Sequence, residues 1–154
     1  METVRRVGLV LAMMAVALVV GSGVAVAAVK FGTNRTDFLF GTNGGDQLFG
    51  KGGRDLVDGA NGSDILFGGP GNDAVCGDDC LQGLGTGDDI MFGGPGSDEM
   101  TGDGGDDSLY GQGGNDFIAG MSGRDTIYCG PGNDTVYYQK GVDHIFGCER
   151  KHSP

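Results

Sequence analysis

Histidine and basic side chains are scarce in this chain of 154 residues, and tryptophan is absent. Two histidines and 10 lysines and arginines stand against 21 acidic residues, for a formal charge of −11. The shortage of positive charge argues against a nucleic-acid partner, which needs basic groups to neutralise phosphates. His144 and His152 lie near the C-terminus with no nucleophile or acid arranged around them. The four cysteines form no Cys-x2-Cys pair, which removes the usual thiolate-metal motif. Ser63, Ser97, Ser108 and Ser122 carry no nucleophile-elbow pattern. No catalytic residue and no organic-cofactor site is expected, and no segment is left over for a catalytic domain. What the chain has in excess is glycine, 34 residues. Scattered glycine would mean disorder, but here it is periodic.

The N-terminal stretch through Ala27 differs in kind. Arg5 and Arg6, an apolar run from Val7 to Val20, a Gly21-Ser22-Gly23 break and Ala25-Val26-Ala27 read as a secretory signal peptide cut after Ala27. A retained membrane anchor is the rival reading, since Val7 to Val29 nearly reaches spanning length. Cleavage gives a secreted, extracellular chain without stable membrane insertion. Removing Glu2, Arg5 and Arg6 leaves 8 basic residues against 20 acidic ones, a composition suited to cations.

Twelve aspartates stand in two trains at a spacing of nine: Asp37, Asp46, Asp55, Asp64 and Asp73, then Asp89, Asp98, Asp107, Asp116, Asp125, Asp134 and Asp143. Two residues after each is an apolar side chain, from Leu39 to Ile145. Two residues before is glycine in every case but Arg35. The unit is Gly-x-x-Gly-x-Asp-x-U-x, with U apolar, as in Gly68-Gly69-Pro70-Gly71-Asn72-Asp73-Ala74-Val75-Cys76. Six glycine-rich residues with one aspartate make a turn, and three residues around U make a minimal strand with U inward. Two units, spanning two aspartate spacings, give one all-β coil with turns on two opposite edges and two thin parallel sheets between them. Equivalent residues of successive coils then stack about 4.8 Å apart.

Segments such as Gly93-Gly94-Pro95-Gly96-Ser97-Asp98, Gly111-Gln112-Gly113-Gly114-Asn115-Asp116 and Gly130-Pro131-Gly132-Asn133-Asp134 resemble the RTX, or haemolysin-type calcium-binding, nonapeptide repeat. The resemblance covers about residues 32 to 147 and implies a right-handed parallel β-roll, a β-solenoid, with ions between neighbouring turns of one edge. The charges ask for the same thing. Aspartates 18 apart, such as Asp46 with Asp64 or Asp98 with Asp116, stack closely and repel unless a cation lies between them. Ca²⁺ suits carboxylate and carbonyl oxygens, whereas Mg²⁺ wants a tight octahedron and transition metals want histidine or thiolate. The expected ligands are Asp46, Asp55, Asp64, Asp73, Asp89, Asp98, Asp107, Asp116, Asp125 and Asp134. Asp37 and Asp143 sit in turns that depart from the pattern, with Thr33 and Arg35 in one and Tyr138-Gln139-Lys140 in the other, and are expected as caps. The competing reading is that all twelve aspartates merely cap turns, a role that would also accept Asn or Ser.

Between Asp73 and Asp89 the spacing is 16, read as one repeat with a seven-residue insertion that forms a loop over 77–85. The residue three after each aspartate decides this. Alternate repeats carry Phe49, Phe67, Phe92, Tyr110, Tyr128 and Phe146, a row that stays on one sheet only if the joint counts once. Asp64 then faces Asp89. The rings form a ladder, read either as self-stacked with tilt or as an apolar stripe for a cell-surface or self-association partner. Cys129 and Cys148 are 19 apart, on neighbouring rungs, and suit a disulfide, while Cys76 and Cys80 would close a small loop; the sequence leaves three connectivities open. The expected layout is a signal peptide at 1–27, a roll at 28–147 and a tail at 148–154. Loose in the cytosol, the chain would set in the calcium-rich exterior.

Overall fold

The computed structural model describes residues 27–80 and 85–153. The expected signal segment lies outside the described residues except for Ala27, as does the middle of the insertion, 81–84. The described chain is fourteen short strands and no helix. One sheet holds β1 (Val29–Phe31), β3 (Gln47–Phe49), β5 (Ile65–Phe67), β7 (Ile90–Pro95), β9 (Ser108–Gly113), β11 (Thr126–Tyr128) and β13 (His144–Phe146), in that order. The other holds β2 (Phe38–Thr42), β4 (Leu56–Ala60), β6 (Ala74–Cys76), β8 (Glu99–Thr101), β10 (Phe117–Ala119), β12 (Thr135–Tyr137) and β14 (Arg150–His152). Every pairing is parallel, and consecutive strands alternate between sheets. The result is the expected β-roll.

Register follows the aspartate spacing. Leu48 pairs with Leu66 and Ile118 with Val136, each two aspartate spacings further along the chain. Leu66 pairs with Met91 and Val75 with Met100, a longer step by the length of the insertion, which is therefore looped out of a single coil. With one inward residue per strand, the core is one column per sheet. From Leu39 to Val136 those side chains are all but inaccessible to solvent, and only Ile145 near the end of the odd sheet is partly exposed. Glycines bring stacked turns close. A Cβ on Gly114 would overlap the carbonyl oxygen of Gly96 one coil below, and Gly114 also has φ = 139°.

Both ends of the roll extend beyond the comb. β1 has no aspartate before it: Ala28 stands in that place and Lys30 in the inward column. At the other end the segment expected as a tail supplies β14, with Lys151 paired to Val136 in the inward register. A lysine therefore ends the column of each sheet, at opposite ends of the roll. Sequence periodicity misses both strands because neither carries the aspartate that marks the repeat.

The ring row is a stack of seven, not six, because Phe31 joins Phe49 at the N-terminal end. Centroids are 4.7 to 5.2 Å apart, and neighbouring planes differ by only 2 to 13°. The strand spacing sets the centroid distance, and the rings meet it by lying parallel and offset rather than tilting against one another. Both expected disulfides are present, with Cα separations of 5.6 Å for Cys76–Cys80 and 5.2 Å for Cys129–Cys148.

Candidate metal centre in the stacked turns

Each strand of the comb is entered through an aspartate that points into the roll at its edge. Asp55, Asp73, Asp98, Asp116 and Asp134 line the edge before the even strands, and Asp46, Asp64, Asp89, Asp107 and Asp125 the edge before the odd ones. All ten are at most 3% exposed. On both edges the backbone N–H of one aspartate donates to Oδ1 of the aspartate in the next coil. Asp55 bonds Asp73 at 2.8 Å, Asp73 bonds Asp98 at 2.8 Å, Asp89 bonds Asp107 at 2.9 Å and Asp116 bonds Asp134 at 2.8 Å. Ala28 starts the row on Asp46. Glu149 ends the other by accepting from Asp134 N–H at 3.0 Å, although it lies 15 residues on and outside the comb.

The second oxygen separates the aspartates into two groups. Oδ2 of Asp55, Asp64, Asp73, Asp89, Asp98, Asp107, Asp116, Asp125 and Asp134 is buried without a hydrogen-bond partner. In Asp37 it accepts from the N–H and hydroxyl of Thr33 at 2.6 and 2.8 Å, and in Asp143 from Gln139 N–H. Asp37 and Asp143 are thus hydrogen-bonded within their own turns through Oδ2. Oδ2 of Asp46, expected among the ligands, is also engaged, since Thr42 N–H donates to it.

Backbone conformation at the second turn position tracks that division. Lys51, Ala60, Gly69, Gly94, Asp103, Gln112, Met121 and Gly130 have φ between 66° and 122° there. Thr33, Thr42 and Gln139, the donors in the capped turns, are not left-handed. Where the residue is left-handed, its N–H does not reach the aspartate. Only the turn of Asp89, which carries the insertion, combines an orphaned Oδ2 with an ordinary φ at Asp78. Five of the eight left-handed residues are not glycine, at a cost of about 1 to 2 kcal/mol each. Nothing in the identities of Lys51, Ala60, Gln112 or Met121 announces this conformation. Thr33 and Thr42 at the equivalent position are the one sequence sign that Asp46 resembles Asp37.

Beside most of the orphaned oxygens a backbone carbonyl of the next coil faces the same space. A Cβ on Gly93 would lie 2.6 Å from Asp98 Oδ2 and 2.9 Å from the Gly111 carbonyl oxygen of the next coil. On Gly111 it would lie 2.6 Å from Asp116 Oδ2 and 2.5 Å from the Cys129 carbonyl. Where the turn opens with glycine, that residue keeps open a cradle of carboxylate and carbonyl oxygen; the turn of Asp134 opens with Cys129 instead. Among the described residues no three acidic, histidine or cysteine side chains converge closely enough to hold an ion by themselves. An ion here must complete its shell from the backbone, which suits Ca²⁺ with its six to eight oxygens.

Burial is the main force on these carboxyls and opposes their ionisation. It pushes Asp64 and Asp107 up to about 8, and Asp89 and Asp98 to about 7. Asp116 and Asp125 rise to about 6, and Asp55, Asp73 and Asp134 are raised as well. The backbone N–H on Oδ1 pulls each one back, and acidic neighbours push most of them further up. The model of the RTX calcium-binding nonapeptide repeat matches four times, at residues 31–66, 40–75, 84–118 and 110–145. The chain belongs to the RTX calcium-binding repeat family. Its RTX turns are those just described, and the matched stretches leave out most of the insertion, where the pattern is broken. No curated protein and no solved structure matches the chain. As an RTX protein it is a calcium-binding β-roll.

Proposed function

We propose that this RTX roll is an exported, noncatalytic protein whose folding is coupled to Ca²⁺. Its ligands are Asp55, Asp64, Asp73, Asp89, Asp98, Asp107, Asp116, Asp125 and Asp134, with carbonyls of adjoining turns. The observation that carries the reading is the row of nine buried Oδ2 atoms without a donor, eight of them beside a left-handed turn residue. A turn-capping role leaves no reason for either, since Thr33, Thr42 and Gln139 cap the same acid with an ordinary backbone. Bound calcium supplies the positive charge that lets these carboxyls ionise while buried. Asp46 is left out because both its oxygens are engaged.

A core one residue deep does little against chain entropy, so metal-free chain should be loose. Export supplies calcium at the moment of folding and permits the two disulfides. Circular dichroism of the mature protein, titrated with Ca²⁺ and then with chelator, tests the coupling. At neutral pH a gain of β signal that chelator reverses is expected, and a roll already formed there in excess chelator would sink it.

The seven-ring stack supports a second reading, an extracellular adhesion or interaction module in which calcium only builds the scaffold. Phe31, Tyr128 and Phe146 are 56, 41 and 48% exposed. Glycan-array and self-association measurements on Tyr110→Ser and Tyr128→Ser separate the two readings. The scaffold-only reading expects no change.

A further inference from the structure

The insertion brings to one edge a set of acids that the comb does not contain. Asp78 and Asp103 hold the second position of successive turns, after β6 and β8. Asp58 lies in the outward column of the even sheet, between Phe40 and Cys76. Asp58 is only 5% exposed and accepts from Ala60 N–H at 3.0 Å and Cys80 N–H at 3.4 Å. Asp78 is fully buried, and neither of its oxygens has a hydrogen bond of normal geometry. The amides of Gly87 and Gly104 face Asp78 and draw its pKa down, but burial outweighs them and raises it. Asp103 Oδ2 is also buried and without a partner. Residues 77–85 contain no lysine or arginine to balance these charges.

Covering and clamping come from the insertion itself. Gly85 packs so tightly on Asp78 that any Cβ there would overlap its carboxyl group. The Gly85 carbonyl points toward Gly104, where a Cβ would lie 2.7 Å from it. The Cys76–Cys80 disulfide ties the segment bearing Asp78 to the end of β6. A carboxylate closed off from water without a well-placed donor needs either a proton or a cation. Two acids plus a carbonyl are matched to a hard divalent ion that completes its shell with water.

We propose that the insertion builds a second kind of calcium site, with Asp78 and Asp103 as carboxylate ligands, the Gly85 carbonyl between their turns, and Asp58 adding charge from β4. It shares the ion with the function proposed above but none of the ligands, since no comb aspartate belongs to it. The loop interrupts the repeat and in return carries its own ion, which with the disulfide fixes it on the roll.

The number of calcium ions per chain, measured by equilibrium dialysis with radioactive Ca²⁺ on the mature, disulfide-intact protein, tests this. Wild type is compared with Asp78→Asn, Asp103→Asn and the control Asp88→Asn, whose exposed carboxylate accepts from Asp106 N–H on the same edge. Loss of a single ion from Asp78→Asn and from Asp103→Asn, with none lost from Asp88→Asn, is expected. Wild-type stoichiometry in both site variants would overturn the proposal and leave the nonapeptide sites standing. Conversely, a wild type that holds one ion, lost in Asp78→Asn, would keep this site and sink the nonapeptide ligands. Should Asp78→Asn fail to fold, Asp103→Asn, on a half-buried side chain, decides alone.

Discussion

The backbone N–H of Asp64 donates to Oδ1 of Asp89, 25 residues away, at 2.8 Å, the distance found between Asp55 and Asp73, 18 residues apart. The carboxylate row therefore runs through the insertion as though it were not there. Removing residues 79–85 should restore the regular coil. In a Cys76→Ser background, that deletion is expected to fold with calcium and to retain β circular dichroism, since a surface loop adds little to the closure entropy of the coil. Loss of the calcium-dependent signal would show that the loop is needed to set the register.

Acid should stabilise the metal-free roll, contrary to the behaviour of most proteins. The folded-state pKa of Asp64 and Asp107 is about 8 and that of Asp89 and Asp98 about 7, against 3.8 when unperturbed. Between about pH 4 and pH 8 the fold then binds more protons than the unfolded chain, so stability falls as pH rises through the folded values. In chelator, the chain should be loose at pH 7 to 8 and gain β circular dichroism as the pH falls toward 4 to 5. In excess calcium the trend reverses from pH 5 to 8, because ion binding must displace those protons. Parallel slopes in the two series would contradict this account.

Gly114→Ala should be far more damaging than an ordinary surface substitution. The added methyl would overlap Gly96 O while the backbone sits at φ = 139°. A cost of about 3 kcal/mol or more is expected. Gly113→Ala, whose Cβ meets nothing within 4 Å, is the neighbour control and should change the midpoint little. Thermal melts in saturating calcium compare the two.

Cys129→Ser paired with Cys148→Ser opens a 19-residue loop at the C-terminal end. The expected cost is about 3 kcal/mol, felt in the last coil first. Hydrogen exchange should show β13 and β14 losing protection while β3 and β5 keep theirs. Uniform loss would mean that the roll unfolds as one unit.

Period and chemistry made most of this architecture legible. An inward residue every nine, the glycine offsets and the ring row sufficed for two parallel sheets, for the looped-out joint and for the pairing of Asp64 with Asp89. Illegible were the places where the period carries no mark. β1 and β14 join the sheets without the marking aspartate, Glu149 substitutes for an aspartate at the wrong spacing, and the burial of Asp78 depends on Gly85 packed against its carboxyl. The division between Asp46 and Asp55 turns on one φ angle, which side-chain identity barely constrains at Lys51 or Thr42.

Lys30 and Lys151 give the molecule a defined length. Were a second copy to add head to tail, Lys30, whose ammonium donates to the Phe40 carbonyl, would meet Ile145 of its neighbour and Lys151 would meet Leu39, so each junction would set a lysine stem and its charge against an apolar column. Parallel sheets with open ends are natural seeds for fibre growth. At the ends of the described roll each seam would carry a mismatch, so head-to-tail stacking of rolls should be disfavoured as their concentration rises.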